Sequence, residues 1–180
     1  RPATPARLEV RNLHKVYPNG TVALTDVSFR VDDGEFLVVI GLSGSGKSTL
    51  LRCLNRLIEP SQGQVLWDGV DVTAASGAEL RRIRRHIGMV FQQFNLVKRS
   101  SVLTNVLAGR LGFANPWLRL LWVWPPSERA MALRALERVG IRDKAEARAD
   151  ALAGGQQQRV GIARALMQEP KLILADEPVA

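Results

Sequence analysis

Phe36-Leu37-Val38-Val39-Ile40-Gly41-Leu42-Ser43-Gly44-Ser45-Gly46-Lys47-Ser48-Thr49 changes character at its middle. Five consecutive apolar residues come first, without alternation. That pattern predicts a strand buried on both faces, as in a parallel sheet. Gly41 and Gly46 follow with four residues between them, then Lys47 and Ser48, which satisfies the phosphate-loop pattern. The glycines let the backbone curl so that its N–H groups converge on an anion. Lys47 supplies a point charge to outer phosphates and Ser48 offers a hydroxyl to Mg²⁺. A helix from Lys47 to Arg56 aims its positive end at the same anion. Strand, loop and helix in this order predict an α/β architecture.

Working outward, Leu8–Val10 and Val22–Val31 read as further strands, with Asn19-Gly20 and Asp33-Gly34 as turns. Gln64–Trp67 is a strand closed by Asp68-Gly69. Ser76-Gly77-Ala78-Glu79 fits a capping box and opens a short basic helix through Arg85. Ile87–Phe91 is another apolar strand. From about Gln93 to Ala153 the pattern turns helical, with segments near Val102–Gly109 and Ser127–Val139, Ser127 serving as N-cap. Gln156–Gln168 is a helix stopped by Pro170, and Leu172–Ala175 is a buried strand that ends at Asp176-Glu177.

Those two carboxylates sit where a parallel strand ends, beside the phosphate loop in such an architecture. Asp176 is expected to hold Mg²⁺ through water, and Glu177 to polarise the attacking water as general base. Leu152-Ala153-Gly154-Gly155-Gln156 opens a helix 107 residues beyond Lys47, measured at Gly154. Two glycines at a helix N-terminus form a second anion-binding surface. One nucleotide needs one phosphate loop, so the second surface points to a partner chain's nucleotide.

The chain has 180 residues, 46% hydrophobic and 23% charged, which is globular composition. Its single cysteine, Cys53, excludes a disulfide framework or a multi-cysteine zinc module and fits a reducing compartment. With 25 Lys and Arg against 17 Asp and Glu the net charge is +8. That balance permits nucleic acid, an anionic membrane surface or a phosphorylated ligand as partner. Arg81-Arg82-Ile83-Arg84-Arg85 is read as a solvated helix face. Pro116–Trp124 holds three of the four tryptophans and is too short to span a bilayer; it is read as packing within the helical region.

The phosphate loop, Gln92 after an apolar strand, Gly154-Gly155-Gln156 and Asp176-Glu177 come in the order seen in ATP-binding-cassette (ABC) ATPases, which the chain resembles over nearly its whole length. The resemblance implies an α/β P-loop NTPase core with an N-terminal antiparallel β subdomain and an inserted α-helical subdomain, incomplete at the C-terminus. It implies a β subdomain and nucleotide-binding core over 1–92, a helical subdomain over 93–153, and the signature helix and carboxylate strand over 154–180. ATP and Mg²⁺ are the implied cofactors. Tyr17 would stack on adenine. Gly41, Ser43, Gly44, Ser45, Gly46, Lys47, Ser48 and Thr49 would surround the phosphates. Ala153, Gly154, Gly155 and Gln156 would grip the partner's nucleotide. Gln92 would act with Glu177 in catalysis and join Ser48 and Asp176 at Mg²⁺.

The implied partners are a second copy in a head-to-tail homodimer, transmembrane permease subunits and, indirectly, a periplasmic or extracellular solute-binding protein, with no nucleic acid. The implied place is the cytoplasmic face of the cell membrane. The stretches Phe91–Val97, Ser101–Leu107 and Gly109–Trp117 resemble the ATP-binding subunits of phosphonate importers; polar amino-acid and methionine importers share Phe91–Leu96, but Gly109–Trp117 resembles them less. Two departures stand out. Ala153 replaces the usual signature serine, which predicts slower turnover. The family's switch histidine cannot be located, since neither His14 nor His86 lies where it would, and residues 1–180 alone are expected to be inactive.

Overall fold

A computed structural model of the chain describes residues 7–113 and 124–176. The chain divides between Ile83 and Arg84 into two compact units. In the first, β1 (Leu8–Val16) lies between β2 (Val22–Val31) and β3 (Gln62–Trp67), and β4 (Val70–Asp71) pairs with β3, giving an antiparallel sheet of order β2-β1-β3-β4. Leu8 and Val10 are buried, and so is Leu13, which breaks strict alternation. The register shifts between Val10 and Leu13, where Asn12 adopts φ 45°. One extra residue returns the apolar set to the same face. The Asn12 N–H donates to Ser28 Oγ at 2.8 Å, and its side chain to Asp26 at 2.7 Å. β3 crosses this irregularity at Gly63, where φ is +90° and a Cβ would lie 2.2 Å from the Asn12 carbonyl oxygen.

The turn readings hold. Gly20 takes φ +83° within the loop closed by Tyr17 and Thr21, whose backbones bond at 2.9 Å. Asp68 and Gly69, at φ 47° and 78°, give the left-handed pair that a two-residue hairpin requires. The reading of Phe36–Ile40 as a buried strand does not hold. The run joins no strand, and Phe36 is 90% and Ile40 89% exposed. The antiparallel sheet of its own unit, of order β2-β1-β3-β4, does not include it. An apolar run becomes a strand only where neighbouring backbone offers it a ladder.

α1 (Lys47–Leu54) follows the glycine loop and buries Leu50, Cys53 and Leu54. α2 (Gly77–Arg85) spans the division between the units. Its start carries part of the expected capping box: Ser76 Oγ accepts from the Glu79 N–H at 3.3 Å.

In the second unit β5 (Ile87–Val90) and β6 (Leu172–Ala175) pair in parallel, from Ile87 opposite Leu172 to Val90 opposite Ala175. β5 is buried at all four positions. Between them in sequence come α3 (Val102–Leu107), α4 (Pro126–Arg138) and α5 (Gly154–Leu166). These three helices share one apolar cluster that includes Val102, Val106, Leu136, Val160 and Met167. Trp124 packs against it; the other residues of the tryptophan-rich stretch, Pro116–Val123, lie outside the described residues. Ser127 is not the cap of α4. Pro125 holds that position and Pro126 starts the helix, where proline's missing N–H and fixed φ cost nothing. α5 begins two residues earlier than Gln156, at Gly154.

Candidate nucleotide-binding site

The loop before α1 is shaped by its glycines. Gly44 and Gly46 take φ +80° and +92°. A Cβ on Gly46 would lie 2.3 Å from the Ala23 carbonyl oxygen, and one on Gly41 would lie 2.5 Å from Ser45 Oγ. Gly46 caps α1 without a side-chain bond, so the first N–H groups of the helix stay aimed at the loop. Lys47 folds back into the loop, its Nζ donating to the Gly41 and Leu42 carbonyls at 2.9 Å each. A curled backbone, a helix start and an ammonium group thus converge, and a chain of phosphates fits that set. Ser43, Gly44 and Ser45 form the exposed crest of the loop, while Ser48 and Thr49 lie half-buried in the first turn of α1.

Tyr17 belongs to the same unit and is tied to that turn. Its hydroxyl and Thr49 Oγ1 lie 3.1 Å apart. Lys15 Nζ stands 5.2 Å from the ring centroid while donating to the Glu59 carbonyl at 2.7 Å. Behind the loop, Cys53 is fully buried in α1, and burial pushes its thiol up to about 11.

In the second unit the parallel pair brings two of the residues expected at the site to one end. Asp176 follows β6 directly and is buried, its backbone N–H donating to the Val90 carbonyl at 2.9 Å. Gln92 follows β5 by two residues and is exposed. Both therefore lie at the carboxyl edge, where ligands of α/β sheets collect. Glu177 lies outside the described residues.

Ala153 caps α5 with its carbonyl, which accepts from the N–H groups of Gln156 and Gln157 at 2.9 Å each. The Gln156 side chain accepts from the Ala153 N–H at 3.2 Å. That is one half of a capping box; alanine has no oxygen to complete the other. Gly154 and Gly155 are exposed, and a Cβ at either would meet nothing within 4 Å. Neither packing nor backbone conformation demands glycine there, so bare backbone is left for something that approaches from outside. At the far end of the helix Arg164 donates to the Phe94 and Asn95 carbonyls at 2.7 and 2.8 Å. Nothing in the spacing of 94, 95 and 164 signals this contact.

The sequence pattern of the ABC transporter family matches residues 24–180. The chain belongs to the ABC transporter family. It is 57% identical over 173 residues to the phosphonates import ATP-binding protein PhnC of Bacillus thuringiensis subsp. konkukian, covering 96% of this chain and 67% of that protein. It therefore spans about two thirds of that relative's length. The dimeric bacterial ABC transporter cassette MJ0796 superposes with a TM-score of 0.85 at 37% identity, covering 95% of this chain and 74% of the cassette. The same cassette in a post-hydrolysis state, bound to ADP and Pi, gives 0.85 at 36%, covering 96% and 74%. The ABC ATPase fold, an α/β P-loop architecture with its antiparallel sheet and helical region, is thereby established, and with it an ATPase coupled to transport. Among the described residues no helix is long and apolar enough to cross a membrane.

Proposed function

We propose that the chain is the ATP-hydrolysing part of an importer that takes up phosphonates, working on the cytoplasmic face of the cell membrane. The observation that carries the ATPase chemistry is the loop at α1, with Gly44 and Gly46 at positive φ and Lys47 folded within it. The solute rests on the 57% identity to a phosphonates import protein, because the solute never needs to touch an ATPase subunit. Gly41, Ser43, Gly44, Ser45, Gly46, Lys47, Ser48 and Thr49 hold the phosphates, and Tyr17 stacks on adenine. Ser48 and Asp176 would hold Mg²⁺, with Gln92 beside it. When bound, Mg²⁺ neutralises phosphate charge as it shifts during cleavage. Glu177 accepts the proton of the attacking water, and Gln92 orients that water.

Ala153, Gly154, Gly155 and Gln156 serve a second copy of the chain. α5 rises about 1.5 Å per residue, so its first residue stands about 10–15 Å along the axis from Gly161 and Arg164, beside which Phe94 and Asn95 of the Gln92 segment lie. A signature end that far from its own chain's Gln92 segment, with bare exposed glycines, suits a head-to-tail homodimer. Closure of that dimer on ATP drives transmembrane permease subunits, and an external solute-binding protein delivers the solute to them.

The test is growth of a deletion strain on a phosphonate as sole phosphorus source, with phosphate as control. We expect loss of growth on phosphonate alone. The intact full-length gene should restore it, and the same gene with Lys47→Ala should not. Normal growth on both sources would point to another solute or to a redundant uptake route and leave only the ATPase assignment standing.

A further inference from the structure

The guanidinium of Arg164 sits partly buried on α5, and the charge it cannot give up is met by backbone carbonyls. Burial pushes its proton affinity down, so the site carries a desolvation cost that only well-aimed acceptors offset. Those acceptors are the adjacent carbonyls of Phe94 and Asn95. Asn95 takes φ 48°, and both carbonyls reach one guanidinium. Asparagine accepts that conformation better than most residues. On the same helix Gly161 faces Phe94, where an added Cβ would come to 4.0 Å from the Phe94 Cβ. Beyond Asn95 the segment is fastened again. Asn105, buried in α3, accepts from the Val97 N–H at 2.8 Å and donates to the Val97 and Ser101 carbonyls at 3.1 and 3.0 Å. The stretch 94–97 is thus stapled at both ends, and Gln92 stands two residues before the first staple.

We propose that Arg164 is a positioning residue for ATP hydrolysis: it locks the Phe94–Asn95 backbone to α5, so that Gln92 and the glycines at the other end of that helix move as one piece. The proposal rests on the reading of Gln92 as the residue that contacts Mg²⁺ or the attacking water. Arg164 touches neither and acts through the backbone it holds. Loss of the lock displaces Gln92 while leaving the loop at α1, in the other unit, as it was. Hydrolysis should suffer and ATP affinity should not.

The experiment uses the full-length protein with Arg164→Leu, Arg164→Lys, Gln92→Ala and the Gln92→Ala/Arg164→Leu pair. ATPase rate, KM for ATP, Tm and amide exchange over 92–97 are read. We expect Arg164→Leu to lower kcat about 10–100-fold, as misplacement of a contributing group does, with KM little changed. Exchange over 92–97 should speed up while β1 and β2 keep their protection. Lysine reaches one carbonyl at a time and should give an intermediate kcat at near-normal Tm, which keeps the test open if the leucine variant does not fold. The double variant should be no slower than Gln92→Ala alone. A folded Arg164→Leu protein with normal kcat, unchanged exchange over 92–97, or fully additive losses in the pair would overturn the proposal. Normal kcat in Gln92→Ala would instead remove the reading of Gln92 on which it stands.

Discussion

At the scale of single residues, Ala153 stands where the resemblance leads one to expect a serine. The position already caps α5 through its carbonyl and receives the Gln156 side chain, so only a hydroxyl is missing. Ala153→Ser should complete the capping box and raise stability by about 0.5–2 kcal/mol. If the hydroxyl also reaches a partner's γ-phosphate, it adds a charge-assisted bond of about 1.5–3 kcal/mol, or roughly 10–150-fold in turnover. Thermal melts and steady-state ATPase assays on the full-length pair separate the two effects. A rise in Tm with unchanged turnover would confine the position to capping. Cys53 gives a pH prediction with a definite sign. Its thiol is held up to about 11 in the fold, whereas an unfolded thiol ionises near 8.5. Below about 8.5 the contribution is fully present; above it the unfolded chain sheds its proton first, and stability falls until about pH 11. Urea melts at pH 8 and pH 10 should show that loss, and Cys53→Ala should flatten it.

At the scale of elements, the loop at α1 was legible because its geometry is carried by glycine, lysine and serine at fixed spacing. Both hairpin turns were legible for a like reason: Gly20 and the Asp68-Gly69 pair accept positive φ, and the sequence declares it. Phe36–Ile40 was misread because apolar continuity reports a wish for burial and says nothing of which backbone will pair with it. Ser127 was misread because a proline at the first helical position outbids a serine one residue on. The clamps formed by Arg164 and Asn105 were invisible; both reach backbone carbonyls far along the chain or across a turn, and carbonyls carry no sequence signal. Asn105→Ala tests one of them. It strips partners from the N–H and C=O of the exposed Val97, and about 0.5–1.5 kcal/mol of stability should go with each bond lost. Denaturant titration measures the loss, and faster exchange should be confined to the residues around Val97.

At the scale of the whole molecule, the two-copy reading predicts a mass change. Glu177→Gln removes the proposed base while leaving ATP binding in place, so full-length protein of this kind should double its apparent mass in sedimentation when ATP and Mg²⁺ are added. Gly155→Glu in the same background should prevent it, because a carboxylate would then face a phosphate. The fold has room for that side chain, since nothing lies within 4 Å of a Cβ at Gly155. Doubling that survives Gly155→Glu would move the contact elsewhere. The exposed run Phe36–Ile40 has a consequence of another kind. Asp32, Asp33 and Glu35 stand just before it, and charges that flank an apolar run oppose self-association. Ions excluded from apolar surface work against such protection. Sulfate should therefore bring residues 1–180 out of solution at far lower ionic strength than chloride does, and Val38→Lys should narrow the gap between the two salts.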